Sequence, residues 1–188
     1  MNIITSPISG LVVIEPRIFH DNRGYFYELY NEVKAKENKI TYRFIQDNVS
    51  RSHQNVIRGL HYQLAPFAQT KLVSVLEGKI FDVAVDIRKD SPTFGHWYGL
   101  ELSYDNHLQL LIPCGFAHGF SVLSKEAVVN YKCDNAYHSE AERGIIYNDP
   151  SLDIDWHINP KDAIISSKDK LFPGFDKAEI NFCYGKSE

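Results

Sequence analysis

The chain has 188 residues, with 20 basic and 24 acidic side chains and a formal net charge of −4. This length predicts a single domain over residues 1–188 with a full hydrophobic core. The acidic balance argues against nucleic acid as a partner, because non-specific binding needs a dense basic surface. No apolar run reaches the ~18 residues of a membrane helix, and the N-terminus lacks the pattern of a signal peptide. We therefore predict no membrane association.

Strand patterns dominate the chain in order, as expected from 11 Phe, 11 Tyr and 2 Trp. We predict strands at 24–30, 55–63, 71–76, 79–88, 98–102, 108–112, 119–123 and 127–133. The run at 79–88 alternates strictly, which indicates one strand with two distinct faces. We predict short helices at 31–39, 103–107 and 159–164, and a loosely structured tail or a cap at 171–188. Short strands at this spacing predict an all-β sandwich or barrel.

The three cysteines, Cys114, Cys133 and Cys183, are odd in number and scattered along the chain. They form neither a disulfide framework nor a zinc-binding motif. A reducing cytoplasm is therefore the compartment that we predict.

Polar residues without an evident structural role concentrate in three places. They are the stretch from Gln46 to Asn48 that leads into 58–63, Lys71, and the stretch from 113 to 132. Arginine and lysine inside strands are costly to bury without an anionic partner, and a phosphate or a developing oxyanion would supply one. The alternative is that each side chain lies at a strand edge and extends its charged end into water.

Gly59 separates two of these polar residues. A regular strand would place Arg58 and His61 on opposite faces, because an odd number of residues separates them. Both can face one cavity only if Gly59 allows a bulge or a twist. We predict such an irregularity at this glycine.

A metal site is the next possibility. The Glu-Gly turn at 77–78 and the Pro-x-Gly-x-x-His run at 113–118 resemble the two motifs of the cupin superfamily. Metal-binding cupins carry His-x-His in the first motif, whereas this chain has His61 followed by Tyr62 and Gln63. The usual ligand set cannot assemble from these positions, so we predict no bound metal.

Nine motifs follow one another in a specific order. They are DNRGYF at 21–26, QDN at 46–48, RGLHYQ at 58–63, FDVAVDIR at 81–88, SPTFG at 91–95, PCGFAHGF at 113–120, YK at 131–132, NDP at 148–150 and SKD at 167–169. In these motifs the chain resembles the dTDP-4-dehydrorhamnose 3,5-epimerase family, over about residues 5–170.

This resemblance implies a cupin-like jelly roll, a homodimer, and a mechanism without metal or cofactor. The implied reaction belongs to the dTDP-L-rhamnose pathway, and its substrate is a 4-keto-6-deoxy sugar linked to dTDP. The C4 carbonyl acidifies the protons on C3 and C5, and epimerisation removes a proton from one face and returns one to the other. Such an isomerase needs a base, an acid opposite it, and a group that stabilises the enolate oxygen.

The resemblance also implies catalytic roles. It makes His61 the base, and it makes Asp169 the carboxylate that orients the imidazole and stabilises its cationic form. Tyr131 is implied as the acid on the opposite face, since its phenol keeps its proton near neutral pH. Lys71 stabilises the enolate charge in this scheme, and His118 approaches the sugar.

The remaining matched positions are implied to bind the nucleotide. They are Arg23 and Arg58 for the diphosphate, Glu28, Gln46 and Asn48 for hydrogen bonds around dTDP, Tyr137 for stacking on thymine, and Glu142 and Lys168 for closing the pocket. Tyr137 and Glu142 rest on the resemblance alone, because the first otherwise looks like an ordinary aromatic residue and the second lies in a polar loop.

Three positions depart from the family pattern. Ser74 stands where an arginine is common, which affects either dimer packing or a phosphate contact. Tyr147 replaces a usual tryptophan, and His157 replaces a usual proline. None of these three is a proposed acid or base.

Two alternatives to the 3,5-epimerase stay open at this point. One is a 3-epimerase or 5-epimerase that acts on a related nucleotide-linked keto-sugar. The other is a non-catalytic cupin that only binds a sugar nucleotide, which the presence of both His61 and Tyr131 disfavours. Deuterium exchange at two, one or no carbons separates these three functions.

Overall fold

The fold is dominated by short strands. A computed structural model describes residues 1–185 of the chain. The strands are β1 (Asn2–Thr5), β2 (Val12–Glu15), β3 (Ile18–Asp21), β4 (Gly24–Tyr27), β5 (Gln46–His53), β6 (Val56–Gln63), β7 (Lys71–Glu77), β8 (Lys79–Asp86), β9 (Trp97–Ser103), β10 (Gln109–Ile112), β11 (Phe116–Val122), β12 (Glu126–Cys133), β13 (Glu142–Gly144) and β14 (Ile164–Ile165). One α-helix, α1 (Glu32–Glu37), and 3₁₀ turns at Asp169–Leu171 and Phe175–Lys177 complete the described elements.

Two sheets face each other in a cupin-like jelly roll. The first has the strand order β1-β2-β10-β7-β12-β5 and the second has the order β13-β6-β11-β8-β9. The strands within these orders pair antiparallel, while the short β14 joins β6 in parallel. The hairpin of β3 and β4 forms a separate two-stranded sheet. No helix within residues 1–185 is long and apolar enough to cross a membrane.

The core divides into layers because β8 has side chains on both faces of its sheet. Ile80 and Ala84 point between the two sheets, where they join residues such as Val73 and Val129 of the facing sheet. Val83 and Val85 point outward, into a second apolar cluster. This alternation confirms the two-faced strand that the sequence predicts for 79–88.

Helix prediction succeeded at one place and failed at two. The helix predicted at 31–39 is confirmed as α1, and the side chain of Asn31 caps it by accepting a hydrogen bond from the Lys34 N–H at 3.1 Å. The predictions at 103–107 and 159–164 are wrong. At 103–107, the side chain of Asn106 accepts the N–H groups of Ser103 and Leu108 and so forms a turn in place of a helix.

The second failed helix has a different cause. Residues 159–162 form a turn in which the Asp162 N–H bonds the Asn159 carbonyl. The apolar residues that follow, Ile164 and Ile165, then extend and pair with the start of β6. Pairing with an existing sheet edge satisfies their backbone groups better than one isolated helical turn would.

The eight predicted strands are confirmed as β4 and β6–β12, with ends that differ by a few residues. Strands β1, β2, β3, β5, β13 and β14 were not predicted from the sequence. Strand β5 is the informative case, because Val49 is its only aliphatic residue beyond alanine size and it lies exposed. Its inward positions are polar, so no hydrophobic alternation reveals it.

The C-terminal segment from residue 171 packs on the outer face of the second sheet. Phe182 and Ile180 are buried there with Val85 and Ile87. The backbone of the segment is also held, because the Lys89 N–H donates a hydrogen bond to the Phe182 carbonyl at 3.0 Å. We propose that this segment is a cap that folds together with the rest of residues 1–188. Residues 186–188 of the predicted tail lie outside the described residues.

Removing the Phe182 side chain tests this cap. Phe182→Ala leaves a large cavity under the sheet, so we expect the free energy of unfolding to fall by about 3–5 kcal/mol in one cooperative transition. Leu171→Ala is the matched control, because Leu171 is 84% exposed and its loss should change stability by no more than about 0.5 kcal/mol. Urea unfolding monitored by fluorescence measures both. An unchanged midpoint for Phe182→Ala would show that the segment is only a loose tail.

Candidate active site

One side chain from each of four strands defines a cavity between the two sheets. His61 comes from β6, Lys71 from β7, Tyr131 from β12 and Glu142 from β13. These four residues are shared by two adjoining lobes of about 150 and 230 Å³. The inward face of the sandwich is therefore apolar over most of its area and polar at this cavity.

Gly59 allows β6 to supply two residues to the cavity. The pairing of β6 with β11 shifts between His118 and Phe120, and Gly59 has φ of +129°. Arg58 and His61 consequently both line the same lobe. The irregularity predicted at this glycine is confirmed, because a positive φ of this kind is readily available only to glycine.

A buried carboxylate holds the imidazole of His61. The distance from His61 Nε2 to Asp169 Oδ1 is 3.0 Å, and the second carboxylate oxygen accepts the Gly59 N–H at 3.3 Å. Burial alone would raise the pKa of Asp169, but the hydrogen bonds, first that of His61, outweigh burial and lower it. An ionised Asp169 fixes the ring so that the other nitrogen, Nδ1, is left for the cavity.

Phe172 supports the same ring from the side. Its ring meets that of His61 edge to face, with centroids 5.5 Å apart. Gly144 lies opposite His61 in β13, and a Cβ atom there would come within 2.3 Å of the Phe172 ring. The glycine thus leaves the space in which Phe172 packs beside the imidazole.

Lys71 and Tyr131 face the imidazole from the other sheet. Burial raises the pKa of Tyr131, which keeps its phenol protonated. Burial lowers the pKa of Lys71, because the ammonium group loses water. No described residue forms an ion pair with Lys71. An anion bound in the cavity would supply the missing partner.

Polar side chains of β5 and the loop after β12 line the first lobe. Gln46 Nε2 donates to Asn48 Oδ1 at 3.0 Å, and Gln46 Oε1 accepts the Tyr137 N–H at 3.2 Å. The Glu142 carboxylate accepts hydrogen bonds from both the Tyr137 hydroxyl and the Lys168 ammonium. Burial opposes ionisation of Glu142, but the hydrogen bonds of Lys168 and Tyr137 hold its pKa below the usual value.

The second lobe contains Arg58 and His118. Arg58 Nε donates to the hydroxyl of Ser52 at 2.9 Å, which orients the guanidinium group. His118 Nε2 lies 2.8 Å from Asp82 Oδ1. The two lobes thus bring together the predicted residues of the sugar site and most of those of the nucleotide site.

Arg23 and Glu28 are the exceptions, because they lie apart from this cavity in one chain. Arg23 is at the tip of the β3–β4 hairpin, where its side chain is 85% exposed and pairs with Asp21. Glu28 pairs with Lys34 and lines a separate small cavity beside α1. The hairpin packs on the turn at 103–107, where the rings of Tyr25 and Tyr27 contact that of His107.

Sequence reasoning missed several cavity residues. Ser50 and Gln69 line the lobes, while Ser52 and Asp82 hold Arg58 and His118 in place. The signal for the serines was the period of two that they share with Gln46 and Asn48, which becomes visible only once β5 is known to be a strand.

The three departures from the family pattern lie outside the cavity lining. Ser74 is buried on β7, on the face opposite to that of Lys71 and Val73, so it faces away from the cavity. The Tyr147 carbonyl accepts the indole N–H of Trp156 at 2.7 Å. His157 stacks on Phe81 with ring centroids 3.9 Å apart. Within residues 1–185, no cluster of three or more His, Cys, Asp or Glu side chains could hold a metal ion.

Known proteins are similar to this chain in sequence and in fold. A family model described as dTDP-4-dehydrorhamnose 3,5-epimerase matches residues 5–177. The chain is 50% identical over 171 residues to a dTDP-4-dehydrorhamnose 3,5-epimerase of Shigella flexneri, which covers 90% of this chain and 93% of that protein. The structure of a dTDP-4-dehydrorhamnose 3,5-epimerase from Elizabethkingia anophelis has a TM-score of 0.89 and 51% identity, covering 95% of this chain and 99% of that one.

A second solved structure carries a ligand. It is a dTDP-6-deoxy-D-glucose-3,5-epimerase from Legionella pneumophila in complex with dTDP-4-keto-L-rhamnose. Its TM-score is 0.90 and its identity is 51%, over 94% of this chain and 93% of that chain.

Lys71 has no ion-pair partner among the described residues, so we predict that its buried charge lowers the stability of the fold. Lys71→Met removes a charge that loses water without gaining an ion pair, so we expect the free energy of unfolding to rise by about 1 kcal/mol. For a chain of this size, that gain raises the melting temperature by about 2–4 °C. Because burial lowers the folded-state pKa of Lys71, the gain is fully present below that pKa and is lost as pH rises from it to the pKa of an unfolded lysine.

Calorimetry of both proteins at pH 7 and pH 10.5 measures this difference. Lys79→Met is the control, because Lys79 pairs with Glu101 at the surface and its replacement should leave stability nearly unchanged. A lower melting temperature for Lys71→Met at pH 7 would contradict the idea that Lys71 is held at a cost.

Proposed function

The chain belongs to the dTDP-4-dehydrorhamnose 3,5-epimerase family, and on that premise we propose how its cavity residues carry out the reaction. The protein is an isomerase that epimerises C3 and C5 of dTDP-4-dehydro-6-deoxy-D-glucose, giving dTDP-4-dehydro-L-rhamnose. The observation that supports the proposed roles best is the position of the His61–Asp169 pair and Tyr131 on facing sheets of one cavity.

We propose that His61 is the base. Its Nδ1 takes the proton from C3 or C5, and the electron pair of the broken C–H bond moves into the C4 carbonyl to form an enolate. The ionised Asp169 then stabilises the imidazolium that results, which favours proton removal. The same arrangement serves both carbons in turn, since each is α to the C4 ketone.

Tyr131 is the proposed acid. It lies on the sheet opposite His61, so its hydroxyl can deliver a proton to the other face of the carbon and invert it. Burial raises the pKa of Tyr131 and so keeps the phenol protonated. The phenol then transfers its proton to the carbon of the enolate. Proton exchange with solvent then restores both side chains for the second inversion.

Lys71 and the residues assigned to the nucleotide complete the proposal. The ammonium of Lys71 stabilises the enolate oxygen, and this oxygen is the anionic partner that no described side chain provides. Arg58 and Lys168 bind the diphosphate, Gln46 and Asn48 bind the nucleoside, and Tyr137 stacks on thymine with Glu142 behind it. That the reaction uses no metal and no cofactor stays a prediction, as does the cytoplasm as its compartment.

We further propose that the protein is a homodimer in which each chain supplies Arg23 and Glu28 to the site of the other. Two observations support this. Both residues lie apart from the cavity of their own chain, and the hairpin that carries Arg23 exposes Phe19 and Phe26. Contact with a second copy would cover these aromatic rings and bring Arg23 towards the diphosphate.

Substitution of the acid and the base tests the mechanism. We expect His61→Ala and Tyr131→Phe each to lower turnover by at least ~100-fold while dTDP binding survives, because each removes one proton-transfer step. His53→Ala is the control, since the exposed His53 side chain lies on the outer face of β5.

Deuterium incorporation from D₂O, read by mass and NMR, measures the effect at each carbon, and calorimetric titration with dTDP measures binding. The wild-type protein should exchange both carbons. Exchange at only one carbon would indicate a monoepimerase, and near-normal turnover in either variant would remove that residue from its role.

Mixing two inactive variants tests the shared site. Arg23→Ala and His61→Ala are each expected to be nearly inactive alone. After they are unfolded together and refolded as mixed dimers, half of the dimers carry one intact site, so about a quarter of wild-type activity should return. Sedimentation of the mixture confirms the dimer. A mixture without activity, although dimers form, would show that Arg23 does not act across the interface.

A further inference from the structure

The last residue of β6, Gln63, lines the first lobe, but its side-chain amide bonds the protein itself. We infer that Gln63 is a positioning residue for the nucleotide, because its amide fixes the backbone on both sides of Tyr137 and so holds the aromatic ring ready for the base. This inference rests on the proposed function, in which Tyr137 stacks on thymine, and deepens it. It gives a role to the glutamine of the RGLHYQ motif, which the proposed reaction does not use.

Three hydrogen bonds occupy the amide of Gln63. Its Nε2 donates to the Phe67 carbonyl at 2.6 Å and to the Ala136 carbonyl at 3.2 Å, and its Oε1 accepts the His138 N–H at 2.6 Å. A glutamine amide has two N–H donors, so neither is left for a substrate. Gln63 is 5% exposed, and a buried amide with its donors and its oxygen bonded is rigid.

These bonds fix the main chain of Tyr137. The Ala136 carbonyl belongs to the peptide group before Tyr137, and the His138 N–H belongs to the peptide group after it. The N–H of the first group is held as well, by Gln46 Oε1 at 3.2 Å. The planes of the two flanking peptide groups set φ and ψ of a residue, so the direction of the Tyr137 Cα–Cβ bond is fixed.

The ring of Tyr137 is open to solvent over much of its surface. Tyr137 is 54% exposed, and its hydroxyl donates to the Glu142 carboxylate. Glu142 stands opposite Gln63 in the pairing of β13 with β6. The end of β6 therefore holds both the backbone of Tyr137 and the strand that carries the hydroxyl's partner, while one face of the ring is left for a base.

The loop that carries Tyr137 is tied to a second loop at the same place. The segment 134–141 crosses from β12 in the first sheet to β13 in the second sheet. Gln69 Nε2 donates to the Asn135 carbonyl at 2.8 Å, and the His138 ring stacks on that of Phe67 with centroids 3.8 Å apart. A loop held in this way has little freedom left to lose, so binding of a base does not have to order it.

Gln63→Leu tests the inference, because leucine is similar in size and removes all three hydrogen bonds. We expect the dTDP dissociation constant to rise by about 5–20-fold, within the range that stacking of a base on an aromatic ring contributes. KM should rise similarly while kcat changes by no more than about twofold, since Asp169 holds His61 independently of Gln63. Calorimetric titration and steady-state kinetics measure these effects. Binding of inorganic pyrophosphate, which has no base, should be unchanged.

Tyr137→Ala shows whether Gln63 acts through the aromatic ring. In the proposed function this variant weakens dTDP binding by itself, and adding Gln63→Leu should then weaken it further by no more than about twofold. A full further loss in the double variant would overturn the inference. So would an unchanged dTDP affinity for Gln63→Leu alone, or an equal loss of pyrophosphate binding. An unchanged dTDP affinity for Tyr137→Ala would instead overturn the proposed stacking role, and the inference with it.

Hydrogen exchange of the segment 134–141 gives a readout that needs neither turnover nor ligand. In the wild-type protein without nucleotide, we expect this segment to exchange at least about 10-fold more slowly than an unstructured peptide, because the loop is bonded on both sides of Tyr137. Gln63→Leu should remove most of that protection. Mass spectrometry of peptic fragments measures both proteins. An unprotected segment in the wild type would overturn the inference.

Two variants serve as controls. Gln54→Leu makes the same substitution in an exposed turn, where the side chain donates to the Leu123 carbonyl, so dTDP affinity should be unchanged. Asp149→Asn removes a buried carboxylate that holds Ser151 and the Phe175 N–H, so it should lower stability and leave dTDP affinity unchanged.

A second substitution covers the case in which Gln63→Leu does not fold. Gln63→Glu keeps an oxygen that accepts the His138 N–H and removes both donors. We then expect the dTDP dissociation constant to rise by at least about threefold, as the loss of buried hydrogen bonds implies. An unchanged dissociation constant for Gln63→Glu would overturn the inference.

Discussion

The cavity depends on one break in the alternation of β6, at Gly59. Before the break Ile57 packs in the outer cluster, and after it Leu60 and Tyr62 do so. The intervening change lets both Arg58 and His61 face inward. It requires close backbone approach, because a Cβ atom on Gly59 would lie 2.5 Å from the Gly119 Cα of the neighbouring strand. A sheet with regular alternation would separate Arg58, the arginine proposed to bind phosphate, from His61, the proposed base.

Polar residues at the inward positions of the strands around the cavity oppose the stability of the sandwich. Lys71, Tyr131 and Asp82 lose water there, and the pKa values of Lys71 and Tyr131 shift in the direction that burial dictates. Two apolar clusters, one between the sheets and one outside the second sheet, offset this cost. The outer cluster depends on the C-terminal segment, so residues far from the reaction help to maintain the cavity.

Sequence reasoning succeeded where local pattern decides the structure. The alternation of β8 and the glycine between Arg58 and His61 could be interpreted from neighbouring residues alone. It failed where tertiary contact decides. Strand β5 has polar inward residues because it lines a cavity, and the partner of His118 lies 36 residues away in sequence, on a neighbouring strand. Arg23 could be assigned to the site by resemblance. Nothing in the neighbouring sequence, however, indicates that it lies outside the cavity of its own chain.

Glu142 has a consequence for how tightly the nucleotide is held. Its carboxylate accepts hydrogen bonds from Tyr137 and Lys168, the two side chains proposed for the nucleotide. Binding is then an exchange, in which a phosphate replaces the carboxylate as the partner of Lys168 and a thymine ring takes the face of Tyr137. Only the difference between the two sets of contacts appears as affinity.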